Sequence, residues 1–241
     1  MTVIWALHGN VGAPEDWDFL VGTCPEEIPL QNIPLWPSLS GATPSLGQWG
    51  AQFAAEVRVS KDPRPILLGY SLGGRLALEA LCADETLWAG AMFVSTHPGI
   101  LSVEERRDRL ASDRHWGEAA RTLPWQDFLN RWNAQGVLAG SPPSPHQSRL
   151  EPWREQIATA FDIWSLGRQT PLEERILQRA VPIMWITGEL DHRFSSRAAD
   201  MVRCIPSASH AVFPKTGHRI LQEQPALLSK AVHAFVQDLM K

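Results

Sequence analysis

Three features of the 241-residue chain predict an α/β fold with a mostly parallel central sheet. Short apolar runs rich in Val and Ile alternate with stretches of helical periodicity, the pattern of strands joined by crossover helices. One such run ends in Gly69-Tyr70-Ser71-Leu72-Gly73-Gly74, a tight strand-to-helix turn. The gap between Pro98 and Ala180 far exceeds an ordinary crossover, which predicts an inserted helical lid.

The elements follow in order. The first strand is 2–7; it lacks a basic leader and runs straight into His8-Gly9, so it reads as a strand and not as a signal peptide. Further buried strands fall at 65–69, 91–95, 182–187 and 210–213. A helix over 72–83 repeats Leu72, Leu76, Ala77, Ala80 and Leu81 near the helical period. Beyond Pro98 the strand-like runs stop. Charged amphipathic stretches there carry Trp116, Trp125, Trp132, Trp153 and Trp164, and Ser141-Pro142-Pro143-Ser144-Pro145 forms a hinge among them. The last helix begins at Pro225, a good first-turn residue, and sets Leu228, Ala231, Val232 and Phe235 on one face. Residues 1–97 and 180–241 are thus the expected core, and 98–179 the expected lid insertion.

Composition narrows the function. Apolar residues make up 44% and the formal net charge is −4, which argues against a nucleic-acid partner or a polybasic membrane surface. No apolar run approaches the ~20 residues of a membrane span. The 3 cysteines, Cys24, Cys82 and Cys204, are odd in number and widely spaced, which speaks against a disulfide framework or a structural zinc site. A cytoplasmic location is expected. Of the 22 basic residues only Lys61, Lys215, Lys230 and Lys241 are lysines; the arginine bias suits anion recognition or reflects compositional drift.

The turn at Ser71 carries the chemistry. Gly-x-Ser-x-Gly after a strand and before a helix lifts the serine above the sheet edge, and the Leu72 amide at the helix start faces any negative charge developing nearby. A serine needs a histidine and an orienting acid, expected after late strands in the order Ser, acid, His. Asp191 follows the strand 182–187, and His218 follows 210–213 through Pro214-Lys215-Thr216-Gly217. His8 ends the first strand as a turn residue, and the Asn10 amide is the expected second oxyanion donor beside that of Leu72. No metal or phosphate motif occurs, and no cofactor or metal is expected.

These residues resemble the α/β-hydrolase superfamily and, more narrowly, the 2-succinyl-6-hydroxy-2,4-cyclohexadiene-1-carboxylate synthase (MenH) family of menaquinone and phylloquinone biosynthesis. The similarity covers Leu7-His8-Gly9 with Asp16-Trp17, Gly69 through Arg75, Ser112-Asp113-Arg114-His115-Trp116, Phe128-Leu129 with Trp132, Gly188-Glu189-Leu190-Asp191 with Arg193-Phe194, and Gly217-His218. Trp36-Pro37-Ser38-Leu39-Ser40-Gly41 replaces the family's Pro-Gly-His-Gly segment, Asn133 replaces a lid tyrosine, and Arg193 replaces a lysine.

The resemblance implies an α/β-hydrolase fold and a lyase. The triad removes a ring proton from 5-enolpyruvoyl-6-hydroxy-2-succinyl-cyclohex-3-ene-1-carboxylate, pyruvate leaves, and the cyclohexadiene forms. The substrate is a small polycarboxylate, which guanidinium forks suit. Arg75 and Arg114 match the family's motif arginines, and Arg149 matches a third by its distance from Ser165-Leu166, with Arg154 as the alternative. Trp132 matches a pocket tryptophan, and Tyr70 and Arg193 complete the candidate substrate-binding set. A carboxylesterase acting on a small ester is the alternative enzyme, and a non-catalytic binding protein on this fold the alternative class. The sequence names no protein partner and decides neither which quinone pathway is served nor the oligomeric state.

Overall fold

The computed structural model describes residues 2–22, 28–41, 43–60, 64–177 and 180–241. Cys24, Lys61 and the last two positions of the expected lid, Gln178 and Arg179, lie outside the described residues.

Among the described residues six strands form one parallel sheet: β1 (Thr2–Leu7), β2 (Leu30–Ile33), β3 (Arg64–Tyr70), β4 (Gly90–Val94), β5 (Ile183–Gly188) and β6 (Ala208–Phe213), in the order β2-β1-β3-β4-β5-β6. Five of them sit within a residue or two of the predicted positions. β2 is an addition. It has four residues, two of them polar, between Pro29 and Pro34, so no apolar run marks it. Its strand character comes from pairing at the sheet edge, with Ile4 opposite Leu30 and Leu7 opposite Ile33.

Side chains alternate between the two faces of the sheet, as a period of two requires. Ile4, Ala6, Ile66, Leu68, Met92, Val94 and Ile186 pack on one side with Trp17 and with Leu228, Val232 and Phe235 of the C-terminal helix. Leu7, Leu67, Ala91, Phe93, Ile183 and Trp185 pack on the other. That second face is covered by α1 (Leu46–Ser60) and α2 (Leu72–Ala83), which contribute Trp49, Phe53, Leu76 and Ala80. Both faces being buried explains why the central strands read as continuous apolar runs.

Between β4 and β5 the chain is helical: α3 (Val103–Thr122), α4 (Trp125–Asn133), α5 (Arg154–Ile163) and α6 (Glu173–Leu177). α3 starts where Ser102 accepts a hydrogen bond from the Glu105 amide at 3.2 Å, with Glu104 and Glu105 in the first turn and Arg121 in the last, as the helix dipole favours. α3 packs on α5, and Gly117 leaves room for the carbonyl of Ala158, 2.8 Å from where a Cβ would stand. After β5 come α7 (His192–Cys204), α8 (Ile220–Glu223) and α9 (Pro225–Leu239). No helix among the described residues is long and apolar enough to cross a membrane.

The strand order sets the site. The chain leaves β1 for the edge, then returns past it to β3, so the order reverses between these two neighbours. Leu7 pairs with Gly69, and the turns after them emerge side by side at the carboxyl edge, where open α/β sheets form their crevice.

Candidate active site

Ser71 sits at φ 51° and ψ −109°, a left-handed conformation that a serine adopts only under constraint. The constraint is packing. A Cβ on Gly74 would run into the Thr96 side chain, and one on Gly73 into the carbonyl oxygens of Leu7 and His8. Small residues therefore let α2 press against β1 and β4, and the Ser71 amide completes the bend by donating to Val94 O at 2.9 Å. The turns after β1, β4 and β6 are strained in the same way: Val11, Ser95 and Lys215 all have positive φ.

Ser71, His218 and Asp191 meet at this edge. His218 Nδ1 lies 2.7 Å from Asp191 Oδ2, and His218 Nε2 lies 3.1 Å from Ser71 Oγ. A carboxylate only accepts, so Nδ1 carries the proton and donates to Asp191, and Ser71 Oγ donates to Nε2. Asp191 and His218 are both 5% exposed. Their loops are tied together: the Leu190 amide donates to Thr216 O at 2.9 Å, and the Lys215 amide to Glu189 Oε2 at 2.8 Å.

Sequence reasoning missed Glu223, which grips the His218 loop on both sides. It accepts from the Gly217 amide at 2.7 Å and from the Arg219 amide at 3.1 Å. Nothing local in the sequence marks it. The Phe194 ring, 4.5 Å from the His218 ring, and Tyr70, at 5.7 Å, flank the imidazole.

Asn10 and Leu72 line the cavity above Ser71. Leu72 opens α2, so its amide has no acceptor within the helix. The Asn10 side chain accepts from the Val11 amide at 3.0 Å, which holds the turn. His8 is occupied by backbone: Nδ1 donates to Gly9 O at 2.9 Å and Nε2 accepts from the Leu35 amide at 3.2 Å. Burial lowers its pKa to about 4, so it stays neutral in this turn.

The cavity measures about 520 Å³, within the range of small-molecule sites. Residues of the segment between β4 and β5 form much of its wall, Trp116 and Trp132 among them, with ring centroids 5.2 Å apart. Tyr70, Arg75 and Arg193 line it, as the sequence suggests. Arg75 is 7% exposed and its Nη1 donates to Gln169 Oε1 at 3.3 Å. Burial, and then the nearby Arg109, pull its pKa down to about 9, against Asp113 and Glu79. His97 lies in the same region; burial, followed by Arg193, Arg197, Arg75 and Arg109, holds it down to about 3.

Two arginines expected at the substrate stand elsewhere. Arg114 is more than half exposed and pairs with Asp162 at 2.8 Å, away from the cavity. Arg149 is exposed and bonds to His146. The alternative, Arg154, is spent on the end of α3, donating to Ala120 O at 2.7 Å and Leu123 O at 2.6 Å. Arg109 and Arg219 line the cavity instead. Asp113 fixes Arg109 with both oxygens at 2.9 Å from Nε, and accepts from Ser165 Oγ at 2.7 Å. Within Ser112-Asp113-Arg114 it is thus the aspartate that reaches inward, holding an arginine one turn earlier.

The sequence pattern of the alpha/beta hydrolase family matches residues 6–231. The chain is 31% identical over 228 residues to 2-succinyl-6-hydroxy-2,4-cyclohexadiene-1-carboxylate synthase of Serratia proteamaculans, covering 86% of this chain and 85% of the relative. It is 28% identical over 244 residues to the protein of that name from Pectobacterium atrosepticum, covering 98% and 94%. Among solved structures, MenH from S. aureus superposes with a TM-score of 0.87 at 20% identity, over 100% of this chain and 95% of that one. A malate-bound esterase from Thermogutta terrifontis gives 0.73 at 17% identity, over 100% and 91%. At those identities the structural likenesses speak for the fold alone. The family pattern and the Serratia relative carry the assignment further: the chain belongs to the alpha/beta hydrolase family and, within it, to the 2-succinyl-6-hydroxy-2,4-cyclohexadiene-1-carboxylate synthases.

Proposed function

We propose that the protein is a lyase that expels pyruvate from 5-enolpyruvoyl-6-hydroxy-2-succinyl-cyclohex-3-ene-1-carboxylate to give 2-succinyl-6-hydroxy-2,4-cyclohexadiene-1-carboxylate, the compound its relatives are named for making. The observation that carries this reading is the pairing of Ser71, His218 and Asp191 with a cavity walled by Arg75, Arg109 and Arg193. A substrate with three carboxylates suits such a wall.

In this mechanism Ser71 Oγ takes the proton at ring C2 while its own proton passes to His218 Nε2. Asp191 stabilises the imidazolium that forms. The C2 proton lies next to the succinyl ketone, so negative charge develops on that oxygen, where the amides of Asn10 and Leu72 would receive it. The freed electron pair forms the C2–C3 double bond, the old C3–C4 pair moves to C4–C5, and the C5–O bond breaks. The enolpyruvate released takes up a proton at carbon to become pyruvate. Residues 98–177 act as a lid over the site, with Trp132 and Tyr70 against the ring.

The strained Ser71 turn also suits a nucleophile, which favours ester hydrolysis as the second reading. One assay separates the two. Purified protein and Ser71→Ala are given the freshly made substrate, and pyruvate and diene absorbance are followed. Acceleration in the wild type that is lost in Ser71→Ala is the expected result. No acceleration by folded protein, with Ser71-dependent cleavage of p-nitrophenyl acetate, would replace the lyase by an esterase.

A further inference from the structure

Arg219 follows His218 in the chain and is 4% exposed, yet its guanidinium meets only neutral oxygens: Nη1 donates to Ser141 O at 3.2 Å and Nη2 to Asn133 Oδ1. Among the described residues no carboxylate comes within ion-pair distance of it. The two acids that act on it electrostatically are committed elsewhere. Asp16 accepts from Ser144 Oγ at 2.5 Å and from the Ala13 amide at 3.0 Å. Glu223 accepts from Ser141 Oγ at 2.7 Å and from two backbone amides. A buried guanidinium held only by neutral groups retains uncompensated charge, and burial lowers its pKa. Arg219 also lines the active cavity.

Its surroundings set it apart from the other cavity arginines. Arg75 and Arg109 are held by Gln169 and Asp113 and, with Arg193, line the cavity with His97, whereas Arg219 is held by Ser141 and Asn133 and the acids acting on it are Glu223 and Asp16. The cavity therefore has two separate cationic places that share the Ser71–His218 centre.

We infer that Arg219 is a second carboxylate anchor of the cavity, taking one carboxylate of a polyanionic substrate whose others face the arginines around His97. This rests on the lyase reading for the identity of the substrate, but not for the existence of the anchor. Asn133 and Ser141 O fix the plane of the guanidinium, leaving its remaining donors for the ligand. Arg219 thus sets specificity: a monoanion can satisfy one cationic place and a dianion both.

The test compares wild type with Arg219→Gln and Arg219→Lys. Steady-state pyruvate release gives KM and kcat, and competition is measured with 2-succinylbenzoate and with pyruvate, which between them carry the three carboxylates. Losing a charge-assisted hydrogen bond to an anion should raise KM about 10- to 100-fold in Arg219→Gln, with kcat changed only a few-fold. One of the two inhibitors should weaken by a similar factor and the other should not. Arg219→Lys should recover part of the loss. An unchanged KM in Arg219→Gln overturns the anchor. So does an Arg219→Gln that weakens both inhibitors by the same factor, because the cavity as a whole would then have changed and not one anchor. If the wild type releases no pyruvate above the Ser71→Ala baseline, the lyase reading fails by itself. Calorimetric binding of 2-succinylbenzoate and of pyruvate then decides the anchor without turnover: weakening of one in Arg219→Gln supports it, and weakening of neither overturns it.

Discussion

Gln169→Glu tests how the cavity keeps its charge available. Gln169 is 1% exposed, accepts from Arg75 Nη1 at 3.3 Å and donates to Pro98 O at 3.2 Å. A neutral amide at this place orients Arg75 without cancelling it. A carboxylate 3.3 Å from the guanidinium would attract it by about 5 kcal/mol at an effective dielectric constant of 20, before desolvation and the lost bond to Pro98 are subtracted. If only a third of that survives, an incoming carboxylate must compete with an internal one worth about tenfold in affinity. KM for the substrate should therefore rise at least about tenfold, with a smaller change in kcat. Gln169→Leu, which removes the amide but adds no charge, should raise KM much less. Both constants come from pyruvate release, with thermal melts to check folding. Folded Gln169→Glu protein with a KM within twofold of wild type, or a Gln169→Leu equally impaired, would refute the reasoning.

Two further perturbations read other parts of the site. Asp191→Asn should lower kcat about 10³- to 10⁴-fold, because an amide donating to His218 Nδ1 leaves the proton on Nε2, where it cannot accept from Ser71. Its melting temperature should stay close to that of wild type, and a kcat within tenfold of wild type would remove Asp191 from the proton path. Asp16 gives a pH dependence. Burial raises its carboxyl pKa above the ordinary 3.8, against the bonds from Ser144 and Ala13. The folded state then holds the Asp16 proton more tightly than the unfolded chain, so ionisation of Asp16 weakens the fold as pH rises past 3.8 and through the raised value. Against Asp16→Asn, which mimics the protonated form, wild type should gain relative stability as pH falls from 7 toward 4, measured by urea unfolding. A pH-independent difference between the two would contradict the burial argument.

What could be read from the chain is what the chain decides locally. A strand, a serine between glycines and a helix are consecutive, so 69–75 announces its own conformation. Asp191 and His218 are distant from Ser71, but each follows a strand, and a parallel sheet brings strand ends to one edge. The arginines are different. Arg109 and Arg114 lie on one helix, five residues and so about 140° apart, and sequence alone leaves open which of them faces the cavity. Packing settles it: Asp113 is buried with Ser165, and Arg109, four residues earlier on the same face, follows it inward. Arg114, about 100° on from Asp113, meets Asp162 at the surface. β2 and Arg219 were illegible for the same reason, since each takes its role from a partner far away in the chain, whereas Glu223 bonds amides only six and four residues before it and no residue pattern there announces it.

The division between elimination and ester hydrolysis follows from this second set of residues. Ser71, His218 and Asp191 can serve either as a base or as a nucleophile with its base, and no distance among them separates the two. The arginines do discriminate, because they are expensive to bury. Burial first, and then the neighbouring arginines, draw Arg75 down to about 9 and hold His97 at about 3. A small neutral ester would leave that repulsion in place on binding. A ligand with several carboxylates relieves it at each contact, and the relief grows as water leaves the cavity and the local dielectric falls. A chain that keeps Arg75, Arg109 and Arg193 around a neutral histidine, orients one by an amide and another by Asp113, is organised around anions. In the proposed lyase the triad would supply the proton transfer, and the guanidiniums would select what is presented to it.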